Sequence, residues 1–260
     1  MLEEIKKIYE YREMLKNNVR KELRARYKGS VLGFFWTFLN PLLQLIVYSI
    51  VFSTVMKVSI PNYNYTVFLF VGLVPWTFLS ASIQQSTTTI TSNSNLIKKI
   101  YFPRIILPLS ITITNLVNML LTFVIVFIAL FLSRSPISVW YLYLPVIILA
   151  ESLFVFSLTL FLSSMTVFFR DLEHIMTIVL MAWMYLTPVI YPVDYIPSRV
   201  ISVFRANPMF FIVGAYRDIL LFNRQPETYG LLYVLMVSFL LLAAGFCVFN
   251  KLQRRFAEEI

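Results

Sequence analysis

Three rows of polar and aromatic residues recur at four-residue spacing inside long apolar runs: Trp36, Asn40, Gln44 and Tyr48; Trp76, Ser80, Gln84 and Thr88; and Trp183, Thr187 and Tyr191. Residues four apart share a helix face, so each run carries a stripe of hydrogen-bonding and ring-stacking groups on an otherwise apolar rod. Such a stripe suits a sugar chain. Aromatic rings stack on the apolar faces of pyranoses, amides and hydroxyls exchange hydrogen bonds with sugar hydroxyls, and weak repeated contacts let a polymer slide. The same residue types also pack membrane helices together, with Ser, Thr, Asn and Gln bonding between helices and Trp and Tyr gathering at the membrane boundary. The pattern alone leaves both readings open.

Other chemistries are thinly supplied. Glu151 is the one ionisable residue well inside an apolar run. A charge at mid-bilayer costs roughly 2.5–3.5 kcal/mol on insertion scales, so Glu151 is expected to be protonated, paired or turned to water, with a structural hydrogen bond the simplest role. A single cysteine, Cys247, precludes an intrachain disulfide, and with one histidine no catalytic metal is suggested. A membrane-embedded glycosyltransferase needs convergent acids and bases, yet Asp171, Glu173 and His174 sit on one short loop while Asp194, Asp218 and Glu227 stand apart. A proton-coupled carrier is the other alternative; it commonly shows matching broken spans in both halves, and here the 192–228 region has no counterpart. Among six glycines there is no G-x-x-x-x-G-K-[ST] or G-x-G-x-x-G loop. No cofactor is therefore expected on this chain, and ATP-driven work requires a separate ATPase.

The elements that position these residues are membrane helices. Of 260 residues, 59% are hydrophobic and 13% charged, with a mean hydropathy of +0.77. About 20 apolar residues cross the ~30 Å hydrocarbon layer. Apolar runs at 31–56, 66–92, 105–132, 139–169, 175–191 and 229–250 thus predict an all-α membrane protein with six spans. Sixteen of the 22 Lys/Arg residues fall on the N-terminal tail, the 93–104 and 170–174 loops and the C-terminal tail, against six on the alternate loops. The positive-inside rule then places both termini in the cytoplasm. Topology accounts for much of the +9 net charge, and no nucleic-acid partner is needed.

Residues 1–30 form the first unit. Ile5, Ile8, Leu15, Val19 and Leu23 recur at helical spacing, while Lys6, Lys7, Lys16, Arg20, Lys21, Arg24 and Lys28 fall mostly elsewhere. That is the pattern of an amphipathic helix on a membrane surface, either an anchor or a docking face for a cytoplasmic partner. Residues 31–260 form the second unit, the six-span transmembrane domain. Within it, 192–228 is unusual: Pro192, Pro197 and Pro208 precede an apolar stretch, Met209 to Phe222, interrupted by Arg217-Asp218. Fourteen residues are too few to cross a bilayer, so short re-entrant helices between spans five and six are expected.

Several motifs stand in order along nearly the whole chain: Arg24-Ala-Arg-Tyr-Lys-Gly-Ser-Val-Leu-Gly33 followed by Trp36 and Asn40-Pro41, Lys99-Ile-Tyr-Phe-Pro-Arg-Ile-Ile-Leu-Pro108, Phe168-Phe-Arg-Asp-Leu172, Leu186-Thr-Pro-Val-Ile-Tyr-Pro192, and Asn207-Pro208 leading to Ala215-Tyr-Arg-Asp218. This ordered set resembles the permease subunits of ATP-binding-cassette exporters for lipid-linked polysaccharides such as teichoic acid, O-antigen or capsule precursors. The resemblance implies a homodimer in the bacterial plasma (inner) membrane, joined by two copies of a cytoplasmic ATPase that binds ATP and Mg. It implies ATPase docking through the N-terminal helix, through Asn95, Leu96, Ile97, Lys98, Lys99, Tyr101, Phe102, Pro103 and Arg104, and through Arg170, Asp171 and Glu173. It also implies a path lined by spans one, two and five, the spans that carry the three rows. Arg24, Arg26 and Lys28 are placed to meet anionic head groups at the cytoplasmic entrance. The lipid tail of the substrate stays among the membrane lipids. For the polymer, the general likeness leans toward wall teichoic acid.

Overall fold

The computed structural model describes residues 2–25, 29–30, 32–55, 60, 63–133 and 138–260. Its helices are α1 (Leu2–Glu10), α2 (Arg12–Ala25), α3 (Trp36–Ser49), α4 (Tyr65–Ser92), α5 (Ser94–Lys99), α6 (Ile106–Leu132), α7 (Leu144–Met165), α8 (Leu172–Tyr185), α9 (Ile201–Arg205), α10 (Pro208–Leu220), α11 (Thr228–Leu252) and α12 (Phe256–Glu259). No strand occurs among the described residues. Among the described residues, four helices are long and apolar enough to cross a membrane: Tyr65–Ser92, Ile106–Leu132, Val139–Met165 and Thr228–Arg255. They correspond to four of the six expected spans.

The other two runs are shorter as helices. The 31–56 run yields α3, which continues in wider π-type turns over Ile50–Val55. The 175–191 run yields only the 14 residues of α8, about 21 Å at 1.5 Å per residue, short of the hydrocarbon thickness. The reason is local. Thr187 precedes Pro188, a position disfavoured for α geometry, and Pro188 has no N–H to continue the ladder. The chain turns there instead.

Helix α4 is the central post. The Asn64 side chain accepts a 2.9 Å bond from the Thr66 amide, satisfying one of the free donors at the helix start. From that cap α4 runs 28 residues, about 42 Å, and packs against α3, α6, α7, α8 and α10. Its interior Pro75 removes one backbone bond, which a membrane helix tolerates when neighbouring groups cover the freed carbonyl. Helices α7 and α11 lie side by side, and Gly245 permits the approach: a Cβ there would sit 3.3 Å from the Ser157 carbonyl oxygen.

The last turn of α4 meets a basic face. Here Ile8, Tyr11 and Met14 from α1, α2 and the residue between them pack against a cluster that includes Ile90, Ile97, Phe102, Phe249 and Phe256. Both ends of the chain therefore lie on one face. The amphipathic expectation holds in its pattern: Ile8, Leu15, Val19 and Leu23 are partly buried, while Lys6, Lys7, Lys16, Arg20, Lys21 and Arg24 are exposed. It changes in form, because the helix is broken in two at Tyr11 and α2 packs on α6. The first turn of α4 meets the far end, where the Tyr65 hydroxyl donates to the Ile190 carbonyl at 2.6 Å.

Candidate functional site

Midway along α4, a cavity of about 430 Å³ opens between α3, α4 and α6. Helix α3 contributes Trp36, Thr37, Asn40, Pro41 and Gln44, and α4 contributes Thr77, Ser80, Gln84 and Gln85. The third wall comes from α6, with Asn115, Asn118 and Thr122. Six carboxamides thus face one space inside a bundle whose other walls are apolar. Asn115 donates to the Gln85 side chain at 3.1 Å, and Gln84 donates to the Thr177 hydroxyl of α8 at 2.8 Å. Both amide atoms of Asn118 are buried with no hydrogen-bond partner among the described residues. Amides placed this way offer donors and acceptors to water or to a hydroxylated ligand at membrane depth. A smaller cavity of about 220 Å³, lined by Glu22, Gln85, Thr88, Thr89 and Ser92, shares Gln85 and leads toward the basic face. Together they make a polar seam along α4.

The structure brings five of the ten proposed path residues to this cleft: Trp36, Asn40, Gln44, Ser80 and Gln84. The other five lie elsewhere. Tyr48 packs toward Phe52, with ring centroids 6.4 Å apart. Trp76 is buried and meets Trp183 edge-on at 6.3 Å. The physical reason is helix geometry. Four residues turn about 400°, so each step in a row drifts by about 40° and the ends of a four-member row diverge by about 120°. The third row fails differently, since Thr187 and Tyr191 lie beyond the end of α8 and share no helix face with Trp183. Asn115, Asn118 and Thr122 are visible in the sequence as amides and a hydroxyl in the third span, but no aromatic residue at four-residue spacing leads them into a row.

At the far end, one side chain gathers the misplaced row. The Asn207 carboxamide oxygen accepts from Trp183 Nε1 at 2.9 Å and from the Met209 amide at 3.0 Å. Its nitrogen donates to the Leu186 carbonyl at 3.1 Å and the Thr187 hydroxyl at 2.8 Å. Asn207-Pro208 is therefore the N-cap and first residue of α10, and it also seals the end of α8. Ten residues on, the Arg217 guanidinium is 3% exposed, lies 3.5 Å from the centre of the Phe68 ring, and donates to the carbonyls of Pro188 and Val189. Gly72 makes room for it, since a Cβ there would fall 2.5 Å from an Arg217 nitrogen. Tyr216 donates to the fully buried Glu151 at 2.7 Å, which is the structural hydrogen bond expected for that carboxyl.

On the basic face the 93–104 segment alternates. Ile97 and Phe102 are buried and Leu96, Pro103 and Arg104 are partly buried, whereas Asn95, Lys98, Lys99 and Tyr101 are exposed, Tyr101 at 91%. Arg170, Asp171 and Glu173 are exposed nearby, beside Phe169. The C-terminal segment supports this platform. Phe256 is fully buried under the Arg104 guanidinium at 5.7 Å and edge-on to Phe249 at 5.6 Å, and α12 packs on α5. Burial pulls the Arg104 pKa below its ordinary value. Lys98 donates to the Ile260 carbonyl. Of the three entrance residues, Arg24 is exposed at the end of α2, while Arg26 and Lys28 lie outside the described residues.

Comparison with known proteins fits this arrangement. The O-antigen export system permease protein RfbA of Myxococcus xanthus is 36% identical over 263 residues, covering 100% of both chains. A protein of the same name from Klebsiella pneumoniae is 35% identical over 92% of this chain and 91% of its own. The polysialic acid transport protein KpsM of Escherichia coli is 24% identical over 88% of this chain and 90% of its own. These relatives carry O-antigen and polysialic acid in their names, and the lean toward wall teichoic acid finds no counterpart among them. Residues 13–221 match the model of the ABC-2 type transporter family. With four helices among the described residues long and apolar enough to cross a membrane, relatives named as export-system permeases and a family match over most of its length, the chain belongs to the ABC-2 type transporter family.

Proposed function

We propose that this permease moves a lipid-linked polysaccharide of the O-antigen type from the cytoplasmic to the outer side of the bacterial plasma membrane. The observation that carries the reading is the cleft between α3, α4 and α6, where carboxamides and the Trp36 ring face one polar space at membrane depth. Six membrane passages, with α3 and α8 completing the four long helices, keep both termini in the cytoplasm. Helices α9 and α10 form the re-entrant pair of the external segment 192–228. Two copies pair through the exposed apolar faces of α3 and α8, where Leu43, Ile46 and Val47 and Ile175, Ile178 and Val179 lie open.

Each copy docks one cytoplasmic ATPase, which holds ATP and Mg, against residues 1–30, the 93–104 segment and Arg170, Asp171 and Glu173. Closure of the ATPases displaces α5, and α4, continuous with it through Asn93, transmits the shift to the cleft. The glycan passes while its lipid tail stays in the bilayer. Arg24, Arg26 and Lys28 meet the anionic head group at the entrance. The two other readings gain nothing from the geometry. Glu151 is bound by Tyr216 in the core rather than facing the cleft, and no group of three or more His, Cys, Asp or Glu residues is placed to hold a metal ion among the described residues.

The test is a reconstituted export assay with the paired ATPase and its lipid-linked glycan. Gln84→Leu combined with Asn40→Leu is expected to slow export at least tenfold while ATPase binding persists. Undiminished export would remove the cleft from the path.

A further inference from the structure

A second cavity of about 430 Å³ lies at the far end, under α10 and the 192–194 segment. It is chemically unlike the amide cleft. Its apolar surface is aromatic, with Tyr63 and Phe222 meeting edge-on at 5.0 Å and Phe210 and Phe211 at 5.4 Å. Its charges are balanced: Asp194, Asp218 and Glu227 against Arg205, Arg217 and Arg224. Arg224 and Asp218 are spent on each other at 2.7 Å. Asp194, Arg205 and Glu227 are exposed and make no ion pair among the described residues. In the wall, Arg217 Nε is buried with no partner there, although the two terminal nitrogens are bonded to backbone carbonyls.

The balance of signs gives no preference for a simple anion or cation. Carboxylates that accept, guanidiniums that donate and ring faces beside them match a hydroxyl-rich ring with one apolar side. The volume falls within the roughly 300–1,000 Å³ of small-molecule sites. Phe68 in this cavity and Ser80 in the cleft are 12 residues apart on α4, about 18 Å, so the two spaces are separate stations on one post. We infer that the far-end cavity is a second saccharide site, which takes sugar units after they leave the amide cleft. This rests on the export reading, and it adds a site to it.

The experiment uses the permease reconstituted with its ATPase, and the probe is the lipid-free glycan released by mild acid from the exporter's own lipid-linked substrate. Asp194→Asn with Arg205→Met, both at exposed positions, is expected to weaken binding of this glycan at least tenfold by saturation-transfer NMR. Gln84→Leu is expected to remove only the share of binding owed to the amide cleft, and the remainder is expected to fall at least tenfold when Asp194→Asn and Arg205→Met are added to it. Wild-type affinity in the Asp194/Arg205 variant, or no binding by the wild type, overturns the inference. So does binding lost entirely through Gln84→Leu alone, which assigns the glycan to the cleft, or displacement by phosphoethanolamine, which marks a phospholipid head-group pocket. ATP-dependent export by the wild type in the same vesicles keeps any of these results distinct from failure of the export reading, which an inactive wild type would signal.

Discussion

Two arginines lie over phenylalanine rings at opposite ends of the bundle, and they fasten very different things. Arg217 is almost fully buried, 3.5 Å from the Phe68 ring centre, and binds two successive backbone carbonyls of the turn after α8. Arg104 is partly buried, 5.7 Å from the Phe256 ring centre, on a segment whose neighbours Lys99 and Tyr101 are open to solvent. A desolvated cation held by two backbone acceptors is confined to a narrow geometry, because a shift strands its bonded donors. A half-solvated stacked cation can slide. The far end is thus built to stay in one arrangement, and the basic face to adjust to whatever presses on it.

The sharpest way to break this comparison is Arg217→Met. Loss of the buried cation leaves the Pro188 and Val189 carbonyls unpaired, with an expected cost on the order of 3–5 kcal/mol in thermal unfolding of the permease in nanodiscs. Arg217→Lys is expected to restore little, since an ammonium lacks the planar fork. Unfolding within about 1 kcal/mol of wild type would show that the far end is not fastened there. Phe256→Ala should cost about 3 kcal/mol by cavity formation, and it should also weaken ATPase retention in a pull-down by loosening α5. Full retention would mean the platform stands without α12. Asn207→Ala removes the bonds to Trp183, Leu186 and Thr187 together with the α10 cap, for about 2 kcal/mol, visible as a shift in Trp fluorescence along with the lower midpoint. The smallest effect belongs to Arg104→Gln, below about 1 kcal/mol. A larger loss would make the two ends alike.

Much of the architecture was legible because a long charge-free run has few physical solutions. The runs that became α4, α6, α7 and α11 could be read directly, and so could the amphipathic pattern of residues 5–23. Sites were harder. Arg217-Asp218 looked like a polar interruption of an apolar stretch, yet both are buried, at 3% and 8% exposure, because carbonyls some 28 residues away and Arg224 satisfy them. No local pattern reveals an acceptor that folding brings from another element. The four-residue rows overreached for the opposite reason, since spacing fixes a face for one or two turns and then drifts away from it. Asn118 shows the third limit: its type was visible, but its place in the cleft depends on how α6 is rotated against α3 and α4.

The capture of residues 188 and 189 by Arg217 also sets an order of assembly. Helix α8 emerges from the ribosome too short to hold a full crossing, and the turn that finishes it has two carbonyls whose donors are still untranslated. Only when α10 has been made does the guanidinium arrive, and only a side chain as small as that of Gly72 leaves it a berth. Positions 72 and 217 are consequently bound together: a bulkier residue at the first evicts the second, and the end of α8 is left with two unpaired carbonyls.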